Sequence, residues 1–289
     1  MPIQRRIFQV AVHASIAFSG LSGCTDSSSA PTSVVDAGVD SDATGADAAL
    51  CAASYVTSVH GTVVNENGEP FVGARVQPCI VRGDDVWLCL APTDVLPSGE
   101  FERTFDGENT CMKKLAMRVL GALDETPRYS IAYCQANVAS AEAVNAGSVE
   151  LVPVLPPTDV VGDEAHYASG LVMSVGSEDG EPSSLLASVD GPNIGCGAVR
   201  DQALAIVSFA PEGIRDATRI RRVPLPASVT DGTSVDVFVL GGLATYRADE
   251  SRVDEGELDR IGTAVASGGF LDLDLPMLYA NALVLKPSP

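Results

Sequence analysis

Apolar and polar residues alternate in short runs along most of this chain, the period-2 pattern of half-buried strands. Val56-Thr57-Ser58-Val59-His60-Gly61-Thr62-Val63-Val64 is the clearest run, β-branched and alternating. Asn65-Glu66-Asn67-Gly68 follows it, then Phe71-Val72-Gly73-Ala74-Arg75-Val76. Asn-Gly tolerates positive φ at both positions, so this stretch predicts a hairpin. Further strands are predicted over Asp85–Leu90, Gly99–Thr104, Leu115–Leu120 and Ser130–Cys134. Beyond residue 160 the pattern predicts Gly170–Val175, Leu185–Val189, Leu204–Phe209, Val235–Leu240, Ile261–Ala266, Phe270–Leu275 and Leu278–Leu285. Only Asp249–Asp259 has the composition of a short helix. Short strands separated by Gly, Pro and Asp argue for an all-β chain of antiparallel sandwiches.

Val152-Pro153-Val154-Leu155-Pro156-Pro157 interrupts the pattern, because consecutive prolines cannot feed a regular ladder. At roughly 100–150 residues per domain, the length suits two small domains. These are expected at residues 51–153 and 160–289.

The first fifty residues follow no strand pattern. Met1 to Arg6 carries Arg5 and Arg6 and no acid, and Ile7 to Ser19 is mostly apolar and small. Leu21-Ser22-Gly23-Cys24 closes the segment. A basic start, a short apolar centre and small residues before a cleavage point describe an export signal, residues 1–23. A spanning helix needs roughly 20 apolar residues, more than this run supplies. The Leu-Ser-Gly-Cys tetrapeptide resembles the lipobox of bacterial lipoproteins. The resemblance implies diacylglyceryl transfer to the Cys24 thiol, cleavage before it and acylation of the new amino group. Two or three acyl chains, at about 0.8 kcal/mol per buried CH₂, anchor a protein stably. An ordinary secretory signal with a nearby cysteine is the rival reading. Residues 24–50 then read as the lipidated cysteine and a disordered acidic linker of Ser, Ala and Asp, with an end-to-end distance of roughly 25–30 Å. Thr25, not aspartate, follows Cys24, which favours the outer over the inner membrane.

His60-Gly61-Thr62-Val63, Asn67-Gly68-Glu69-Pro70 and Val72-Gly73-Ala74-Arg75-Val76 together resemble the opening of carboxypeptidase regulatory-like (transthyretin-like) domains. Ser98-Gly99-Glu100-Phe101 is similar to their later Gly-x-Phe turn. The resemblance spans roughly residues 56 to 153. It implies a seven-stranded sandwich with a structural, spacing or binding role. The catalytic zinc of metallocarboxypeptidases belongs to a separate domain. Cys79 and Cys89 depart from the commonest family pattern.

Composition narrows the function classes. A net charge of −20 argues against nucleic acid as a partner, since phosphate binding needs a basic face. Besides Cys24 there are six cysteines, Cys51, Cys79, Cys89, Cys111, Cys134 and Cys196, an even set suited to an oxidising compartment. Cys79 and Cys89 sit symmetrically about Gly83-Asp84-Asp85, so a hairpin pairing Arg82 with Val86 would bring them within disulfide reach. Cys51, Cys111 and Cys134 compete for one further bridge, and Cys196 either links the domains or stays free. With no Cys-x-x-Cys pair and no His-x₃₋₅-His, zinc is disfavoured.

Catalytic signatures are sparse. Gly-x-Ser-x-Gly, Gly-x₄-Gly-Lys and His-Glu-x-x-His are all absent. His60 reads as a strand residue and His166 as a loop residue. The acids from Asp249 to Asp259 lack a calcium-loop pattern and read as a solvated face. Arg215, Arg219, Arg221 and Arg222 are the densest basic cluster. They suit either contact with an anion or edge-strand protection and pairing with the protein's own acids. Trp87, the only tryptophan, reads as core or hairpin surface. The sequence thus predicts a non-catalytic, cofactor-free surface lipoprotein with a structural, adhesion or assembly role. Its partners would be the membrane, through Cys24, and an envelope protein or glycan. The alternative is a module binding glycan, peptide or calcium.

Overall fold

A computed structural model describes residues 51, 53–82, 86–121, 128–138, 142–176, 180–210, 218–242, 245–247, 251–276 and 282–289. The export signal, Cys24, the linker, the Gly83-Asp84-Asp85 turn, Arg215, Asp249, Glu250 and residues 278–281 of the last expected strand lie outside the described residues. The fold is all-β, with three single-turn 3-10 segments as its only helical elements among the described residues. Among the described residues no helix is long and apolar enough to cross a membrane.

Residues 54–154 build two main sheets. One is three-stranded, in the order Ala143–Glu150, Ser58–Val64, Glu100–Thr104. The other runs Ala132–Ala136, Lys114–Leu120, Arg75–Val81, Trp87–Cys89, with Thr93–Asp94 also paired to Arg75–Val81. Alternate residues of both face one core: Val59, Val63 and Phe101 from the first, Val76, Ile80, Leu115 and Met117 from the second. Residues 159–287 build two five-stranded sheets over a second core that includes Met173, Val207, Ile220, Val237 and Leu285. A third cluster, with Tyr133, Val152, Ile206 and Val284 fully or almost fully buried, joins strands from both halves of the chain.

Two pairings differ from the expected pattern. Ala143–Glu150 runs parallel to Ser58–Val64, whereas all the other strand ladders are antiparallel among the described residues. The hairpin expected after Val64 closes as a turn only. Asn65 Oδ1 accepts hydrogen bonds from the backbone N–H groups of Asn67 and Glu69, each at 2.9 Å, and Gly68 takes φ +76°. The pairing then stops at a single Val64–Pro70 bridge. Gly73, at φ +87°, turns the chain away, and Arg75–Val81 joins the opposite sheet. The expected helix over Asp249–Asp259 is also absent from its described part. Glu255-Gly256 is a turn, and Leu258 already opens the strand Leu258–Val265.

The cysteines pair as Cys51–Cys111, Cys79–Cys89 and Cys134–Cys196. Cys79 and Cys89 lie directly opposite in the antiparallel register, in line with the symmetry about residues 83–85. Cys111 therefore takes Cys51, and Cys196 is not free. It ties the turn preceding Gly197–Val199 to the strand Ala132–Ala136. The proline-rich boundary also binds both sides. Pro153–Val154 pairs with Arg128–Tyr129, and Leu155 exchanges backbone hydrogen bonds with Ala187 at 2.9 and 3.0 Å.

Candidate functional site

The outer face of the three-stranded sheet is concave. In the register His60 lies opposite Glu102 on one side and Asn145 on the other, and Thr62 lies opposite Glu100. A period of two puts all five side chains on the face away from buried Val59, Val63 and Phe101. Between Asn145 and Ser148 the ladder slips by a bulge. Gly147 takes φ +70° there, and its N–H is held by Asn145 Oδ1 at 2.8 Å. On the core side of the strand Ser58–Val64 only glycine fits position 61. A Cβ there would stand 2.7 Å from the Gly147 carbonyl oxygen and 2.9 Å from Phe101 Cζ. With exposed Leu96 as a wall, the groove has a volume of about 570 Å³.

This groove presents an imidazole, two carboxylates and an amide. Its chemistry is that of hydrogen-bonding recognition, with an excess of acceptors suited to hydroxyl-rich or cationic groups. Its lining contains no serine or cysteine to act as a nucleophile beside His60, among the described residues. His166 lies elsewhere, on Glu164–His166, 3.4 Å from the Glu164 carboxylate.

The basic cluster meets its own acids. Arg222 Nε is 2.6 Å from Asp272, and Arg219 and Arg221 both approach Asp274. Arg222 also lies over the Phe270 ring, 5.2 Å from its centroid. These pairs are exposed, so each guanidinium meets one of the protein's own carboxylates at modest strength. The arginines do not protect a sheet edge, because Arg219–Pro224 has Val172–Ser174 on one side and Phe270–Pro276 on the other.

The acids from Asp254 to Asp259 are likewise not a solvated face. Arg247 holds both oxygens of Asp259, at 2.9 and 3.1 Å. Asp254 accepts from Trp87 Nε1 at 3.1 Å and from Lys114, so half-buried Trp87 and this loop belong to one contact. Burial pushes the Asp254 pKa up, but the hydrogen bonds from Lys114 and Trp87 outweigh it and hold the carboxyl below its usual range. Glu255 is fully buried and pairs with Arg252 at 2.8 Å. Sequence reading missed Glu255, since nothing in a run of acids marks which one points inward. It also missed the groove, whose residues come from three separate segments.

The chain matches no family model, no curated protein and no solved structure.

Proposed function

We propose that the chain is a non-catalytic lipoprotein of the cell envelope, held at the membrane by lipid on Cys24, with a structural, adhesion or assembly role. The observation that supports it most is the cysteine arithmetic. The six cysteines from Cys51 onward pair with one another, so Cys24 is the odd one, and it stands directly after Leu-Ser-Gly. Three disulfides suit an oxidising compartment. On this reading residues 24–50 space the body from the lipid headgroups. The segment from residue 56 to 153 serves as a carboxypeptidase regulatory-like sandwich, and residues 160–289 as a second sandwich.

Growth with an alkyne analogue of palmitate tests the anchor. The wild type should carry the label and Cys24→Ser should not; an unlabelled wild type overturns the reading. The groove around His60 favours a second reading, a binding module on a lipid tether. Among the described residues no exposed aromatic lines it, as a sugar-stacking face would require, so a polar or cationic ligand suits it better. A glycan array and calcium calorimetry separate the two readings. Binding lost in Glu102→Gln would favour the module, and silence in both assays the structural role.

A further inference from the structure

Cys79 is fully buried, Cys89 partly exposed, and the carboxylate of Glu255 lies against their disulfide. One carboxylate oxygen and the two sulfurs all lie within 4.8 Å of one another. Burying a carboxylate beside sulfur is costly unless something recovers the lost hydration. Here the position is enforced from several directions. On the N-terminal side Asp254 is held by Trp87 and Lys114, both from the sheet that carries Cys79 and Cys89. On the C-terminal side Gly256, at φ +71°, presses on the strand Ala132–Ala136 so closely that a Cβ would stand 2.6 Å from Gln135 N. Arg252 closes the arrangement at 2.8 Å from Glu255 Oε1. The loop delivers one carboxylate to one disulfide.

We propose that this cluster is a redox-gated site for a divalent soft-to-borderline metal such as zinc, formed when the Cys79–Cys89 bond is reduced. The reductant is a dithiol. One of its thiolates attacks the more accessible Cys89 sulfur, giving a mixed disulfide and releasing the Cys79 thiolate. The second thiol then displaces Cys89, and the dithiol leaves as its own disulfide. The two cysteine thiols give up two protons to solvent as the metal binds both sulfurs. Glu255 is the third ligand, and the fourth tetrahedral position is open to water. Two thiolates, one carboxylate and a divalent ion sum to a single negative charge, which Arg252 balances. A thiolate pair selects zinc over calcium or magnesium, which prefer oxygen.

Cobalt(II) is the probe, because its bond to thiolate gives a near-ultraviolet charge-transfer band. The full chain is reduced on an immobilised dithiol, separated from it under anaerobic conditions and titrated. Reduced wild type should take up one equivalent with that band and yield it to zinc, while the unreduced chain should show none. Cys79→Ala/Cys89→Ala should show none when reduced. Glu255→Gln keeps both thiols, and its fold is checked by circular dichroism before reduction. It should bind at least about tenfold more weakly, since even outer-shell losses cost that much. Absence of one-equivalent uptake by reduced wild type overturns the proposal. So does equal uptake by the double variant, which would place the ligands among the other cysteines, or unchanged affinity in Glu255→Gln.

Discussion

At the scale of single residues, this protein places its carboxylates in opposed environments. Asp236 is nearly buried and accepts from Arg260 and Ser288, each at 2.8 Å, and from Thr263 at 2.9 Å. The hydrogen bonds from Arg260 and Ser288 hold its carboxyl below the ordinary range despite burial. Glu150 goes the other way. Burial raises it, Asp190 and Glu66 add to the rise, and Arg200 only partly opposes it. The stability consequences have opposite sign. Asp236 contributes stability that is fully present above its unfolded pKa and is lost as the pH falls through its lower folded value. Glu150 binds its proton more tightly when folded, so its ionised form weakens the fold at neutral pH. Urea unfolding between pH 3 and 7 should show Asp236→Asn destabilised at neutral pH, with a flatter acid limb. Glu150→Gln should be stabilised at pH 7, and the gain should vanish once Glu150 is protonated in both states.

At the scale of elements, what could be read in the sequence was local. The Cys79–Cys89 pairing follows from symmetry about a three-residue turn, with a sequence separation of only 10. The turn after Val64 was legible as well, because Asn65 and Gly68 act within it. Asn65→Ala removes the acceptor for two backbone N–H groups and should cost about 1–2 kcal/mol, read as a shifted urea midpoint. What could not be read was long-range. The parallel partner of Ser58–Val64 lies some 85 residues on, at Ala143–Glu150, and no turn chemistry connects them. The groove depends on that register, and the sequence marked His60 as a strand residue with nothing to bring Glu102 and Asn145 beside it. The helix expected over Asp249–Asp259 failed for a related reason. Its composition suits a helix, but tertiary contacts decide: Asp254 reaches Trp87 and Lys114, Glu255 turns inward, and Gly256 takes a positive φ against another strand.

At the scale of the whole molecule, the two halves of the body are tied by more than the proline-rich boundary. Cys134–Cys196 closes a 62-residue separation, and the cluster around Tyr133 and Ile206 packs beside it. Chain-entropy arguments give such a bridge a stabilising effect of about 4 kcal/mol. Cys134→Ala/Cys196→Ala should therefore unfold at clearly lower urea, with a loss of up to about that size plus the packing lost at Cys134. A calorimetric transition that splits in two in this variant would show that the bridge couples the halves. A single transition would assign the coupling to the apolar cluster.

The connectivity also has a kinetic side. On the proposed reading, with the Cys24 thiol taken up by lipid, a chain that emerges N-terminus first presents Cys51, then Cys79, then Cys89 as free thiols, and the native partner of Cys51 arrives only with Cys111. An oxidant that joins each cysteine to the next to appear would link Cys51 with Cys79 and Cys89 with Cys111. Both links are wrong, whereas Cys134–Cys196 would form correctly. Correct maturation thus depends on the Trp87–Cys89 arm pairing with Arg75–Val81 before Cys79 is captured, or on thiol exchange that reshuffles the first four cysteines afterwards. Oxidation faster than hairpin closure, about 1–10 μs, would trap this chain at its first half and spare its second.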